Sequence, residues 1–198
     1  MANDDTLLEP DAVQRLLDTH AQMARTKGHD RIVVCGGFHD ETGQPTYGGV
    51  RRKPGLRLTF ERVAPDDEPE QVDTMNGNLV LVPASVARAV GNFDPAFQHS
   101  LGDFDYGLRT VAAGGEVWVA GGSAGRCSHN DRAGSWQDDS LPFAERIRKV
   151  RRPTGLPPRD WALFTRRHAG RWWLLNWASP YVKLVLSSML AANRRRTT

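Results

Sequence analysis

The sequence contains little cysteine, which excludes a fold that depends on disulfides. Only Cys35 and Cys127 occur among the 198 residues. Two cysteines are too few for a disulfide scaffold, and this pair lacks the close spacing of metal-ligand cysteines. We therefore expect a reducing, cytoplasmic setting in which both thiols are packing residues.

No basic segment followed by an apolar run stands near Met1, so a secretory leader is not expected. Export by that route is not expected. Long apolar runs are scarce as well, and the stretch 172–192 is the one candidate for membrane contact. Asn176, Pro180 and Lys183 interrupt it, so the stretch is expected to lie at a membrane surface rather than to span the bilayer.

Acidic residues are scarce in the C-terminal part of the chain. Residues 144–198 carry 13 Lys and Arg but only Glu145 and Asp160 on the acidic side, a net charge of +11. The whole chain carries +3, so the remainder carries −8. An acidic body joined to a basic, tryptophan-rich tail predicts that the tail meets an anionic surface. The alternative is that the tail aromatics pack back onto the body.

Apolar spacing and turn residues predict alternating helices and strands. Helices are expected over 10–27, 85–90, 103–112, 143–150, 159–168 and 182–192, and strands over 32–35, 56–61, 72–75, 79–82 and 116–120. A Pro-rich and Arg-rich linker, residues 151–158, separates the last helices. We place a domain boundary after residue 140, with a basic, Trp-rich helical extension over 141–198.

Two carboxylates stand at the start of one expected helix. Leu108, Val111 and Ala112 recur at helical spacing after them, so Asp103 and Asp105 fall in the first turn. The positive end of a helix favours ionised carboxylates. Taken alone, the pair favours a role for both acids as helix caps, although one carboxylate would suffice for that. The motifs before and after the pair favour chemistry instead.

The neighbouring motifs carry a resemblance. In order they are Met75-Asn76-Gly77-Asn78, Val90-Gly91-Asn92-Phe93-Asp94, Gly102-Asp103-Phe104-Asp105-Tyr106-Gly107-Leu108-Arg109, Ala113-Gly114-Gly115 and Ser128-His129-Asn130. This series resembles the acceptor half of inverting family-2 glycosyltransferases with a GT-A fold. The resemblance covers the chain through about residue 130. It implies an α/β fold, a partial GT-A (Rossmann-like) mixed sheet flanked by helices, with a C-terminal helical extension.

The resemblance also implies roles for individual residues. In that family the helix-start pair is commonly Glu-Asp, and its second acid removes the acceptor proton. That role falls on Asp103, and Gly102 replaces the usual Glu. The turn Asn76-Gly77-Asn78 would lie beside the donor sugar and the acceptor, although Asn-Gly is also a common hairpin turn. Asp105 would contact substrate, or else form an ion pair with Arg109 that orients the helix start.

A metal site is implied as well. Asn3-Asp4-Asp5-Thr6 resembles the family's Asp-x-Asp or Asn-x-Asp signature, which makes Asp5 the expected metal ligand; a disordered acidic terminus is the alternative. His129 follows the last expected strand, where the family has a His that closes on the metal or the diphosphate. Carboxylate, imidazole and diphosphate oxygens suit Mg²⁺ or Mn²⁺, and the imidazole favours Mn²⁺.

The sequence thus predicts a metal-dependent transferase of polysaccharide synthesis. Its partners would be a nucleotide-sugar donor, a glycan or lipid-linked acceptor and an anionic membrane surface, with a peripheral position at the cytoplasmic face of the membrane. Only Met1 and Ala2 precede the expected metal motif, so a missing N-terminal half is a further expected partner. A non-catalytic module that binds glycan or membrane is the alternative. No nucleic-acid motif accompanies the basic tail, so nucleic acid is not an expected partner.

Overall fold

The structure of the chain is a computed structural model. It describes residues 1–2, 4, 6–64, 66–99, 101–128 and 132–194, the side chains of 191–194 excepted. The chain divides into two compact units: the first has Met1–Lys53, Thr59–Asp94 and Gly102–His129, and the second has Pro54–Leu58, Pro95–Leu101 and Asn130–Thr198. The sequence boundary after residue 140 stays a prediction.

The first unit is an α/β unit in which helices flank a curled mixed sheet. Its helices are α1 (Ala12–Lys27), α2 (Ala84–Val90) and α3 (Gly102–Ala112). Its strands are β1 (Leu7–Leu8), β2 (Ile32–His39), β3 (Gly49–Arg52), β4 (Phe60–Arg62), β5 (Glu70–Val72), β6 (Thr74–Met75), β7 (Val80–Leu81) and β8 (Glu116–Arg126). The prediction of an α/β fold with a mixed sheet flanked by helices is confirmed.

The larger sheet is built around the parallel pair β2 and β8. Its order is β1–β8–β2–β7, and β5 also pairs with β8; every pairing except β2 with β8 is antiparallel. A second sheet has the order β4–β3–β6. Residues 32–38 of β2 are all buried, as expected of a central strand that is covered on both faces.

Helix α1 matches its predicted extent closely. It begins at Ala12 rather than at Pro10, and Gly28 ends it in the left-handed conformation, with φ of 73°. Leu16 and Met23 are buried against the sheet, as the apolar spacing predicted. Val13 and Leu17 are also apolar residues at helical spacing, but both are exposed, so the core-facing stripe of α1 is narrower than its apolar positions indicate.

Four strand predictions were wrong in their bounds. Strand β2 runs to His39, past the predicted end at residue 35, and residues 72–75 divide between β5 and β6, which belong to different sheets. The alternation of apolar and polar residues over 56–61 predicted one strand, but only Phe60–Arg62 forms β4. Residues 54–58 belong to the second unit, where Asn176 Oδ1 accepts the N–H of Leu58 and its Nδ2 donates to the carbonyl of Leu56. Strand β8 runs to Arg126, past the predicted end at residue 120. Its register with β2 shifts at Gly121 and Gly122, where Gly122 has φ of 73°, and pairing then resumes from Ser123 opposite Gly37 to Arg126 opposite His39.

The second unit is helical in its C-terminal part. It contains α4 (Phe143–Val150), α5 (Pro158–His168), a 3₁₀ turn (Gly170–Trp172) and α6 (Trp173–Arg194). The sequence predicted the last helix only from residue 182, because Pro180 breaks most helices. Pro180 instead lies inside α6. Proline has no N–H, so Pro180 cannot donate the helical hydrogen bond to the carbonyl of Asn176. That carbonyl instead accepts hydrogen bonds from Trp161 Nε1 at 3.2 Å and from Ser179 Oγ at 3.1 Å.

A buried arginine ties α4 to α6. The side chain of Arg146 is 4% exposed, and its Nη1 lies 2.9 Å from an Asp139 carboxylate oxygen. The same Nη1 donates to the hydroxyls of Ser187 and Ser188, each at 3.0 Å, and Nε donates to the carbonyl of Trp136. This charge is therefore both ion-paired and hydrogen-bonded, which a buried guanidinium requires.

The polar atoms of several aromatic side chains are used within the second unit. Trp177 Nε1 donates to the carbonyl of Pro158, and the hydroxyl of Tyr181 donates to the carbonyl of Leu156. Burial raises the pKa of Tyr181. In the part of the chain that the structure describes, no helix combines the length and apolar character needed to cross a membrane.

Candidate functional site

The carboxylate of Asp103 lies in the first turn of α3 and reaches across to the predicted substrate turn. Its Oδ2 accepts the backbone N–H of Gly77 at 3.0 Å, and its Oδ1 accepts the N–H of Phe104 at 2.8 Å. Its side chain is half-buried. The structure thus brings together Asp103 and the turn Asn76-Gly77-Asn78, which are about 26 residues apart in the chain.

Gly107 is the reason that α3 can approach β6 closely. A Cβ at this position would lie 2.4 Å from Thr74 Oγ1 and 2.9 Å from Thr74 Cα. The hydroxyl of Thr74 in turn donates to the carbonyl of Phe104 at 2.9 Å. Phe104 also packs edge-on against Phe60 of β4, with 5.2 Å between the ring centroids. These contacts fix the start of α3 against the smaller sheet.

The turn that carries Asn76, Gly77 and Asn78 connects two sheets. β6 before it pairs with β3, whereas β7 after it pairs with β2. The Asn-Gly pair therefore does not close a hairpin between β6 and β7, which was the alternative at the sequence level. A Cβ at Gly77 would lie 2.8 Å from Met1 Cε, the flexible end of a side chain, and 3.4 Å from Asp103 Cβ, which is an ordinary contact distance.

Asn78 links the turn to the segment after β8. Its side chain is buried, and its Nδ2 donates to Cys127 Sγ at 3.5 Å. The N–H of Cys127 donates to the carbonyl of His39 at 3.0 Å, which anchors that segment at the end of β2. The chain therefore passes beside the turn two residues before His129. His129 itself lies outside the described residues.

Asn76 presents a buried amide oxygen to this region. Its N–H donates to the carbonyl of Gly48 at 2.8 Å, but its Oδ1 has no hydrogen-bond partner among the described residues. The neighbouring glycines serve close packing, since a Cβ at Gly48 would lie 3.0 Å from Gly37 Cα and one at Gly49 would lie 2.8 Å from a methyl carbon of Val72. A tight approach of backbone segments thus explains these glycines without a ligand.

Asp105 is fully buried and paired with a cation. Arg109 Nε donates to Asp105 Oδ2 at 2.7 Å, which confirms the predicted ion pair along α3. The same guanidinium donates to the carbonyls of Val90 at 2.7 Å and of Asn92 at 3.1 Å. The pair therefore ties α3 to the end of α2 and the loop that follows. The predicted contact between Asp105 and substrate stays a prediction, and it would require this buried carboxylate to be uncovered.

A stacked pair of aromatic rings packs α3 against the loop that follows α2. Tyr106 is buried and stacks on Phe93 with 4.7 Å between ring centroids. Burial raises the pKa of the Tyr106 phenol, and the charge of Arg109 opposes this shift. Tyr106 stays neutral and acts as a packing residue.

The two predicted metal ligands, Asp5 and His129, both lie outside the described residues. The convergence of Asp5, Asp103 and His129 on one cleft therefore stays a prediction. Within the described residues, no group of three or more His, Cys, Asp or Glu side chains could hold a metal ion.

A surface depression of 390 Å³ lies elsewhere on the first unit. It is lined by Arg51, Glu61, Arg62, Val63, Ala64, Asp66 and Glu70. Arg51 donates to the carboxylate of Glu70, and this contact raises the pKa of Arg51. No sequence pattern indicates this depression, because its charged side chains come from β3, β4, β5 and a loop and become neighbours only when the strands pair. None of the predicted site residues lines it.

Fold and site together define an α/β protein in which one helix start faces a turn between two sheets. Comparison with models of known protein families finds no match, and comparison with curated proteins finds none either.

Proposed function

We propose that the chain is the acceptor-side part of an inverting, family-2-like glycosyltransferase with a GT-A fold. It would move a hexosyl group from a nucleotide-diphosphate donor to a glycan or lipid-linked acceptor in polysaccharide synthesis. The observation that carries the proposal is the hydrogen bond from the Gly77 N–H to Asp103 Oδ2 at 3.0 Å. This bond brings Asp103, to which the resemblance assigns the role of base, next to the turn Asn76-Gly77-Asn78, which the resemblance assigns to substrate binding.

Asp103 is the general base in this proposal. The acceptor hydroxyl must lose its proton as its oxygen attacks the anomeric carbon, and a carboxylate within hydrogen-bond reach can take that proton. The Oδ1 and Oδ2 atoms are oriented by the N–H groups of Phe104 and Gly77. The attack inverts the anomeric centre, and the nucleoside diphosphate leaves from the opposite face.

Asn76 and Asn78 would contribute to the binding of the sugars. The unpartnered Oδ1 of Asn76 is an acceptor that a donor hydroxyl or a bound water could satisfy after a small rearrangement. Asn78 holds the turn against Cys127. Asp105 would be a positioning residue, because its ion pair with Arg109 anchors the start of α3, the helix that carries Asp103.

The resembled family implies a divalent metal, Mn²⁺ or Mg²⁺. The donor set fits such an ion, since Asp5 supplies carboxylate oxygens and His129 an imidazole nitrogen. The contact of Asn78 with Cys127 keeps the chain near the turn just before His129. When bound, the ion would neutralise the charge that grows on the leaving diphosphate. Asp5 and His129 are the residues that would hold it.

The decisive experiment is a transfer assay with purified chain, a panel of sugar nucleotides, Mn²⁺ and a lipid-linked acceptor extract. The chain is assayed alone and together with the N-terminal half of a family-2 transferase. Asp103→Asn keeps an oxygen acceptor for the Gly77 N–H but removes the base, so transfer should fall by about a hundredfold or more. Asp18→Asn, a surface change on α1, is the matched control and should keep full activity.

Transfer that is insensitive to Asp103→Asn would refute the assignment of the base. Glycan binding without transfer in any combination, unchanged by Asp103→Asn, would replace the transferase with the non-catalytic glycan-binding module.

A further inference from the structure

Helix α6 has one face that is packed inside the second unit. Asn176 and Leu184 are buried on this face. Ser187 and Ser188 lie on it too, because their hydroxyls accept the guanidinium of Arg146 from α4. The carbonyl of Asn176 accepts the indole N–H of Trp161 from α5. This face of α6 is therefore packed against α4 and α5.

The opposite face of α6 is apolar and exposed. The exposed side chains are Leu174 (55%), Leu175 (64%), Val182 (54%), Leu186 (55%), Met189 (60%) and Leu190 (62%). At about 100° per residue these six positions fall within an arc of about 160° along the helix. Six large aliphatic side chains in one stripe are more than the scattered exposed apolar residues of an ordinary surface.

Cations border this stripe. Lys183 is exposed on α6 between Val182 and Leu186. Before the helix, Arg171 lies over the ring of Trp172 with 5.0 Å to its centroid, and Arg166 lies over the ring of Trp173 at 5.9 Å. Residues 173–194 contain no acidic side chain. An apolar stripe with positive charge at its borders matches the interface of an anionic bilayer, where acyl chains meet negatively charged headgroups.

We propose that the outer face of α6 binds in the plane of an anionic lipid bilayer, with Leu175, Val182, Leu186 and Met189 buried in the acyl boundary. The sequence alone indicated the tryptophans as the anchor. In the structure the indole N–H groups of Trp161 and Trp177 are bonded to backbone carbonyls of the same unit, and the aliphatic residues of α6 are the ones left exposed.

A second copy of this chain is a less suitable occupant of the stripe. Two copies would bring together two segments that each carry +11 over residues 144–198. That repulsion opposes self-association, whereas anionic lipid turns the same charge into attraction. The proposal is independent of the glycosyltransferase assignment, since none of its residues belongs to the candidate site.

The first test is co-flotation of the full chain with vesicles of phosphatidylcholine alone or with about 30 mol% phosphatidylglycerol, an anionic lipid whose surface potential attracts basic segments. The chain should float with the anionic vesicles and bind phosphatidylcholine at least about tenfold less strongly. Leu175→Gln/Leu186→Gln should reduce anionic binding by about tenfold or more, because two large side chains lose their burial. Val13→Gln/Leu17→Gln, at exposed apolar positions of α1, is the matched control and should bind like the parent.

A second readout does not depend on a polar substitution. Both native cysteines are buried, so a single exposed Leu186→Cys can be labelled selectively with an environment-sensitive dye. Its emission should shift to the blue on addition of anionic vesicles. The same label at Val13→Cys should not shift.

Three results would overturn the proposal. The first is equal flotation of the parent and of Leu175→Gln/Leu186→Gln, and the second is a Leu186→Cys label that stays in water when the protein floats. The third is no vesicle binding by the parent. Light scattering that then shows a dimer, dissociated by Leu175→Gln/Leu186→Gln, would assign the stripe to a second copy of the chain. Binding of duplex DNA would instead assign the basic segment to nucleic acid. Circular dichroism of each variant verifies that the helices remain.

Discussion

The N–H of Gly77 donates to Oδ2 of Asp103 at 3.0 Å, which joins a turn between two sheets to the first turn of α3. The contact requires a hydrogen-bond acceptor at the start of α3, and the carboxylate of Asp103 supplies it. The same contact that stabilises the fold locally also orients the carboxylate to which the proposed chemistry assigns the acceptor proton.

The contact predicts different effects for two changes at Asp103. Asp103→Ala removes the acceptor, so the free energy of unfolding should fall by about 1–2 kcal/mol, which lies between the values for neutral hydrogen bonds and for bonds to charged groups because the carboxylate is only half-buried. Asp103→Asn retains an acceptor oxygen and should cost less. Chemical denaturation measures both, and amide hydrogen exchange at Gly77 should quicken in Asp103→Ala. An unchanged exchange rate at Gly77 would show that the bond does not form in solution.

Gly107→Ala should destabilise the chain by about 1–3 kcal/mol, because the new Cβ meets Thr74 Oγ1 and Cα. Helix propensity alone predicts the opposite sign, since alanine favours a helix interior by about 1 kcal/mol over glycine. The sign of the change in thermal stability therefore decides between packing and propensity. Val111→Ala, at an exposed position of the same helix, is the control and should change stability by less than about 0.5 kcal/mol.

The Asp105–Arg109 pair predicts strong coupling in a double-mutant cycle. Arg109→Met leaves the fully buried Asp105 carboxylate without its cation, which should cost about 3–5 kcal/mol. Asp105→Asn/Arg109→Met removes both charges and should be less destabilised than the two single changes added together, by about 1–3 kcal/mol. Urea unfolding of the four proteins measures the cycle. Additive changes would mean that solvent screens the pair.

Cys35 should resist thiol reagents as long as the chain is folded. Burial raises the pKa of this thiol to about 12, so only about one molecule in ten thousand carries the thiolate at pH 8. Iodoacetamide should label it slowly at pH 8 and quickly in denaturant, as read from the Cys35 peptide by mass spectrometry. Rapid labelling of the native chain would contradict the burial of β2.

The same shift predicts an alkaline loss of stability. The folded-state pKa of Cys35 lies above the unfolded value of about 8.5, so the neutral thiol's contribution is complete below pH 8.5. It declines as the pH rises from there toward about 12. Cys35→Ala removes this contribution, so its stability should vary less with pH across that window. If the free energies of unfolding of the parent and of Cys35→Ala changed with pH by the same amount across this window, Cys35 would not be the cause of the alkaline loss of stability.

Local signals in the sequence were sufficient for most helices and for the buried strand. Capping residues and apolar spacing predicted α1 and α3, and the β-branched run predicted the first half of β2, residues 32–35. The pair Asp105 and Arg109 was also predictable, because residues four apart meet on any helix. These features depend on interactions between residues that are close in the chain, so the sequence alone is enough to predict them.

The tertiary structure decided what depends on distant parts of the chain. The contact of Asp103 with Gly77 requires α3 to approach β6 through Gly107, which no local pattern encodes. The continuation of α6 through Pro180 depends on an indole N–H from α5 that takes the freed carbonyl. The same packing of α5 and α4 leaves Leu175 and Leu186 exposed, because the two helices contact the face of α6 that carries Asn176, Ser187 and Ser188, and the aliphatic side chains lie on the other face.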